Sequence, residues 1–124
     1  MQPWRAQNAA VPEWDRWSDE RKHRPLASAT RDEIIAATAR GLSRYFETRL
    51  IRSIEEQVAR WGSDVPSGHP PTVARVLSFH VPIGASKGKE SRWAYVESTS
   101  GSFHGYPISE EEYDGLLEAA DDEP

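Results

Sequence analysis

TRDEIIAATARGLSRYFETRLIRSIEEQVARWG, residues 30–62, decides how the rest of the chain is read. Thr30 followed by Glu33 has the spacing of a capping box, and Asp32 suits the positive end of a helix dipole. Ile35, Ala39, Leu42, Phe46, Leu50, Ile54, Val58 and Trp61 then recur at threes and fours up to Gly62, a suitable residue to follow a helix end. The spacing predicts one helix over 31–61, about 46 Å long at 1.5 Å per residue. A small domain is narrower than that, so the helix either breaks, with Gly41 the candidate position, or overhangs onto something else. Arg40, Arg44, Arg49, Arg52 and Arg60 alternate with Glu47, Glu55 and Glu56 along it and read as a solvated, mixed-charge face.

After the proline-rich stretch SDVPSGHPP (63–71) the hydrophobic period changes from about four to two. Strands are expected at about 72–82, 92–98 and 102–107, forming an antiparallel meander. Ser100-Gly101 supplies a two-residue hairpin turn, which sets Glu97 opposite His104 and Tyr95 opposite Tyr106. A short helix over 110–120 follows, with Ser109 and Glu112 as a second capping box and Ile108 and Tyr113 as a hydrophobic staple. The expected fold is therefore α+β: a long N-terminal helix, a three-stranded meander and a short acidic helix, forming a single domain over 30–124. Residues 1–29, with Trp4, Trp14, Trp17 and three prolines, read as an extended arm in front of it.

Composition narrows the chemistry. The 124 residues include no cysteine, which excludes disulfides, thiol nucleophiles and cysteine-ligated metals. The net charge of −5 is concentrated: residues 108–124 carry −8 and the remainder is mildly positive. A strongly basic nucleic-acid binder does not look like this. Neither a bilayer-spanning apolar run nor an apolar leader is evident, so no membrane partner is expected and a cytoplasmic location is.

Four features could carry function. GASKGKE (84–90) resembles phosphate-loop material, but its spacing is one residue short, Glu90 stands where Ser or Thr is needed, and a strand rather than a helix follows. It reads as an exposed hairpin loop in which Lys87 and Lys89 could touch an anionic partner. Trp93, Tyr95, Glu97, His104 and Tyr106 share one sheet face, as would His80, and offer a ligand face. His80 is expected opposite Trp93, about 13 Å from Glu97 along the strand, so the histidines and the carboxylate do not converge on a metal. Glu110, Glu111, Glu112, Asp114 and Glu118 form an acidic patch. The arm tryptophans Trp4, Trp14 and Trp17 are large apolar anchors of the kind that dominate protein interfaces.

The resulting expectation is a non-enzymatic interaction or assembly subunit without cofactor or metal, binding a protein partner or a second copy through the tryptophan arm. The size suits an accessory or structural protein of a phage or mobile element. Two alternatives stand beside it. One is an acidic inhibitor or regulator docking on a basic groove of a nucleic-acid-handling protein. The other is a small ligand-binding protein or enzyme that uses the aromatic and histidine face.

Overall fold

A computed structural model describes residues 14–68 and 72–121 of the chain. Among the described residues, three helices and eight strands in two sheets replace the expected long helix and three-stranded meander. The elements run β1 (Arg16–Trp17), a 3-10 turn (Arg21–His23), α1 (Arg31–Thr38), β2 (Arg44–Tyr45), α2 (Thr48–Trp61), β3 (Ser63–Val65), β4 (Val73–Ser78), β5 (Gly84–Ser86), β6 (Lys89–Ser91), β7 (Trp93–Thr99), β8 (Ser102–Ile108) and α3 (Glu110–Asp121).

The largest correction concerns 31–61, which is two helices with a strand between them. The N-terminal capping box is present: Glu33 N–H donates to Thr30 Oγ1 at 3.2 Å and Thr30 N–H to Glu33 Oε1 at 2.8 Å. The helix stops at Thr38, three residues before Gly41, where the threonine hydroxyl donates to Ile35 O at 2.8 Å and accepts Gly88 N–H at 2.9 Å. Burial explains the break. One continuous helix would turn Leu42 inward with Phe46 and leave Tyr45 to one side. In the structure Leu42 is 48 % exposed, while Tyr45 and Phe46 are both buried, in different clusters. Burying an aromatic side chain contributes on the order of 2–3 kcal/mol, which outweighs the few hydrogen bonds lost from the helix middle.

The expected meander is present as the centre of a larger sheet of order β1-β8-β7-β4-β3. Its hairpin register is the one the Ser100-Gly101 turn predicts, with Glu97 opposite His104 and Tyr95 opposite Tyr106. Both turn residues have positive φ, 54° and 87°, as such a tight hairpin requires. β4 ends earlier than expected, so Ser78 and not His80 faces Trp93. Two short strands that no periodicity could mark extend the sheet: β3 antiparallel to β4, and β1 parallel to β8. The arm is therefore not simply extended ahead of the fold, because from Trp14 onward it packs against the chain's own core.

GASKGKE is likewise not an exposed loop. Gly84, Ala85 and Ser86 are buried in the second sheet, of order β2-β5-β6, and only Lys87-Gly88 forms the turn, with φ of 53° and 81°. α2 covers one face of the large sheet, burying Ile51, Ile54, Val58 and Ala59 against Ala94, Val96 and Phe103. α3 covers the other, laying Tyr113, Leu116, Leu117 and Ala120 on Val65, Val76, Tyr95 and Ile108. Its capping box is made, with Glu112 N–H on Ser109 Oγ at 3.1 Å and Ser109 N–H on Glu112 Oε1 at 2.9 Å.

Candidate functional site

Two places in this fold concentrate chemistry. The first is internal. Glu55 lies on the core face of α2 and is 1 % exposed. Tyr45 Oη–H donates to Glu55 Oε2 at 2.7 Å and Trp17 Nε1–H to Oε1 at 2.8 Å. A third donor is the backbone N–H of Gly105. Its source is the edge of the sheet. β1 ends after Trp17, and Ser18 N–H takes Phe103 O at 2.8 Å, so the next amide of β8 on that edge, Gly105, would be unpaired without Glu55. One carboxyl thus ties α2 to β1, β2 and β8.

Burial pushes the Glu55 carboxyl up to about 7, and Asp19 adds to the rise, while the bonds from Tyr45, Trp17 and Gly105 oppose it. Burial beside the same carboxyl drives the Tyr45 hydroxyl far above its ordinary range. A carboxyl with this proton affinity is chemically suited to acid–base work. At 1 % exposure it meets no solvent-borne substrate, so its role here is to hold the core together.

The second place is at the surface. α2 presents Leu50, Ser53, Ile54 and Gln57 along one flank, at the i, i+3, i+4, i+7 spacing of a single stripe. Phe79, Val81, Pro82 and Ile83 form the facing wall, and Arg31, Phe46 and Glu47 close one end. The groove between them has a volume of about 490 Å³, within the usual range for binding pockets. Its apolar residues are not fully withdrawn from water: Leu50 is 37 % and Val81 62 % exposed. The Arg31 guanidinium sits 4.5 Å over the Phe46 ring and is held only loosely by Glu47, at 4.0 Å. One turn beyond Gln57 the stripe continues to Trp61, which is 64 % exposed.

Trp17 bonds to Glu55, with the Arg52 guanidinium 5.5 Å over its ring, and Trp14 lies 5.9 Å from Phe103 and under Arg75 at 4.6 Å. Trp4 lies outside the described residues. The aromatic face is largely used internally: His23 stacks on Tyr106 at 4.8 Å, Tyr106 lies 5.4 Å from Tyr95, and Trp93 lies 6.0 Å from Tyr113. Glu97 accepts from Tyr95 Oη at 2.7 Å and Ser67 Oγ at 3.5 Å, while His104 Nε2 lies 3.7 Å from Glu20. Among the described residues no group of three or more His, Asp or Glu is placed to hold a metal ion.

Lys87 lies 3.9 Å from Glu112, so it ties the small sheet to the first turn of α3, whereas Lys89 is exposed. Glu110, Glu111, Asp114 and Glu118 are exposed on the outer side of α3, and Glu112 is half-buried.

Three residues central to this arrangement escape sequence reasoning. Glu55 looks like one more charge on a solvated helix, yet it falls between Ile51, Ile54 and Val58, and a charge inside an apolar stripe was the available signal. His23 is buried, with Nδ1 2.7 Å from Ser43 O, and burial lowers its pKa, but a lone histidine in a charged run gives no warning of that. Tyr45 is concealed by the continuous helical pattern around it.

No family model matches the chain, and no curated protein or solved structure shows significant similarity to it. Among the described residues no helix is long and apolar enough to cross a membrane.

Proposed function

We propose that the chain is a protein-interaction module, working by binding rather than catalysis, that takes a short apolar segment of a partner protein into the groove along α2. The observation that carries the reading is the set of exposed apolar side chains, Leu50 and Val81 over Phe46, Ile54, Phe79 and Ile83, where most other large apolar side chains among the described residues are packed in the core. Exposed apolar grooves rimmed by polar residues mark interaction sites.

The rim selects the partner's chemistry. Arg31, loosely held by Glu47, stands at the closed end with hydrogen-bonding capacity to spare, so the matching segment carries an acidic residue next to an aromatic or aliphatic anchor. On the polar flank Gln57 Nε2–H donates to Ser53 Oγ at 3.2 Å, which leaves the Ser53 hydroxyl hydrogen and Gln57 Oε1 for the segment's backbone. A subunit or accessory protein of a larger assembly is the kind of role such a surface serves, and the source from a phage or mobile element remains part of this proposal on size alone.

The acidic outer face of α3 supports a second reading, docking on a basic surface, and one experiment separates the two. Tagged full-length chain is used to retain its partner from cells that make it, alongside Leu50→Arg and Glu118→Lys, with circular dichroism as a control for folding. Leu50→Arg is expected to lower partner recovery at least tenfold, and Glu118→Lys to leave it unchanged. Recovery lost with Glu118→Lys and kept with Leu50→Arg would replace the groove by the acidic face.

A further inference from the structure

We infer that the occupant of the groove in the free protein is a second copy of this chain: the α2 helices of two copies pack antiparallel about a two-fold axis, and Trp61 of each enters the groove of the other between Leu50 and Val81. The inference rests on the groove being the binding surface. It adds self-association as a state that a partner segment has to open.

Trp61 is the most exposed of the large apolar side chains among the described residues, and the Arg60 guanidinium lies 5.3 Å over its ring. It belongs to the same stripe as the groove. At about 100° per residue, Leu50, Ile54, Gln57 and Trp61 fall within about 60° of one another around α2. Leu50 and Trp61 are centred on the level between Glu55 and Glu56, and so are Ile54 and Gln57. An antiparallel pair with its two-fold axis at that level therefore sets Trp61 against Leu50 of the second copy and Gln57 against its Ile54, each contact being made twice. The two tryptophan insertions lie about 16 Å apart along the helix pair at 1.5 Å per residue.

The polar groups beside the axis are complementary in the same register. Gln57 Nε2–H donates to Ser53 Oγ within one copy, which leaves the Ser53 hydroxyl hydrogen and Gln57 Oε1. Ser53 falls within one residue of facing Gln57 of the second copy, so each remaining donor meets a remaining acceptor across the axis. The charges at the groove's closed end agree as well. Arg31, beside the first turn of α2, comes to face the last turn of the second copy's α2, where the helix dipole is negative. Arg49 and Arg60 flank the contact, the first held by Glu47 at 3.1 Å and the second over the Trp61 ring.

Trp61 has Arg60 and Gly62 as its neighbours, so it supplies an apolar anchor without an adjacent carboxylate for Arg31. A partner segment that carries both displaces it, and the partner's apparent affinity falls as the chain becomes more concentrated, because the dimer hides the groove. An interface of two short helices is small, so dissociation is expected in the range of about 10 to 500 µM.

Sedimentation equilibrium of the full chain across that range should show monomer passing to dimer with no larger species, since a two-fold contact closes on itself. Trp61→Ala and Leu50→Arg, both at exposed positions and both checked for folding by circular dichroism, are expected to weaken the dimer at least tenfold, and Glu118→Lys to leave it unchanged. The absence of native cysteine allows a second readout. Gln57→Cys, which adjoins the axis, should form a disulfide between two chains on mild oxidation at least tenfold faster than Glu118→Cys does, and adding Trp61→Ala should remove that advantage. Monomer throughout the range, a dimer indifferent to Trp61→Ala, or equal rates of linkage would each overturn the proposal. None of these outcomes depends on a partner, so a failure here leaves partner recovery with Leu50→Arg to judge the groove by itself.

Discussion

Glu55→Leu should cost the fold about 3–5 kcal/mol in denaturant unfolding at pH 5.5. The substitution keeps the bulk of the side chain and removes the acceptor for Tyr45 Oη–H, Trp17 Nε1–H and Gly105 N–H together. Leaving a buried donor unsatisfied costs about 1–3 kcal/mol each, and the leucine recovers part of the total by apolar burial. A loss below about 1 kcal/mol would mean that the three donors find water or one another, and that the carboxyl does not tie these elements.

Glu55→Gln separates the hydrogen bonds from the charge. The folded carboxyl titrates near 7 and the unfolded one near its ordinary 4.5. Between those values the folded protein holds a proton that the unfolded chain has released, so this group's stabilisation is complete below about pH 4.5 and is lost as the pH rises through 7. At about 1.36 kcal/mol per pKa unit the full span is about 3 kcal/mol. Glutamine keeps the shape, accepts from Trp17 and donates to Tyr45, and has no proton to lose. Wild-type stability should therefore fall between pH 5 and pH 8 by this amount relative to Glu55→Gln, with the variant the more stable protein at pH 8. Parallel stability–pH curves would contradict the assignment.

Gly105→Ala should be more damaging still. A Cβ at this position would lie 1.9 Å from Tyr95 O and 2.8 Å from Val96 Cα, both in the paired strand β7. Neither can move without opening the β7–β8 ladder, and the amide that reaches Glu55 would move with it. Domains of this kind are stable by only about 5–15 kcal/mol. A cost above about 4 kcal/mol, seen as loss of cooperative thermal unfolding or of soluble protein, is the expected result. An effect near the usual strand-interior preference for alanine over glycine, which would stabilise by about 0.5–1 kcal/mol, would show that the strands have room to part.

Much of the local structure is legible in the sequence because its causes are local. Both capping boxes lie within four residues, the Ser100-Gly101 turn sets a two-residue period on either side, and the staple of α3 spans six positions. The errors arise where distant parts of the chain decide. Whether 31–61 is one helix depends on Tyr45 meeting Glu55 and on Phe46 meeting Ala85, and neither contact leaves a trace in helical periodicity. The stripe read along α2 through Leu50, Ile54 and Val58 is turned by part of a helical step from the buried face, which centres on Ile51, Glu55 and Val58. That small rotation turns a core residue into an apparent surface charge and a groove-lining leucine into an apparent core residue.

Strands of two or three residues such as β1, β2 and β3 exist because a neighbour offers unpaired backbone groups, and no alternation is long enough to mark them. The aromatic face shows the same limit. Its membership follows from the hairpin register, but that α3 and His23 would both pack against it depends on tertiary contacts the strands themselves do not encode.

The most direct test of the groove as the binding surface is a selection of displayed random peptides on the immobilised full-length chain, counter-screened on Leu50→Arg. The expected result is enrichment of sequences that pair an aromatic or aliphatic anchor with a neighbouring Asp or Glu, with binding lost at least tenfold on Leu50→Arg. Enrichment of basic peptides that bind wild type and Leu50→Arg equally would contradict it and transfer the binding surface to the acidic face of α3.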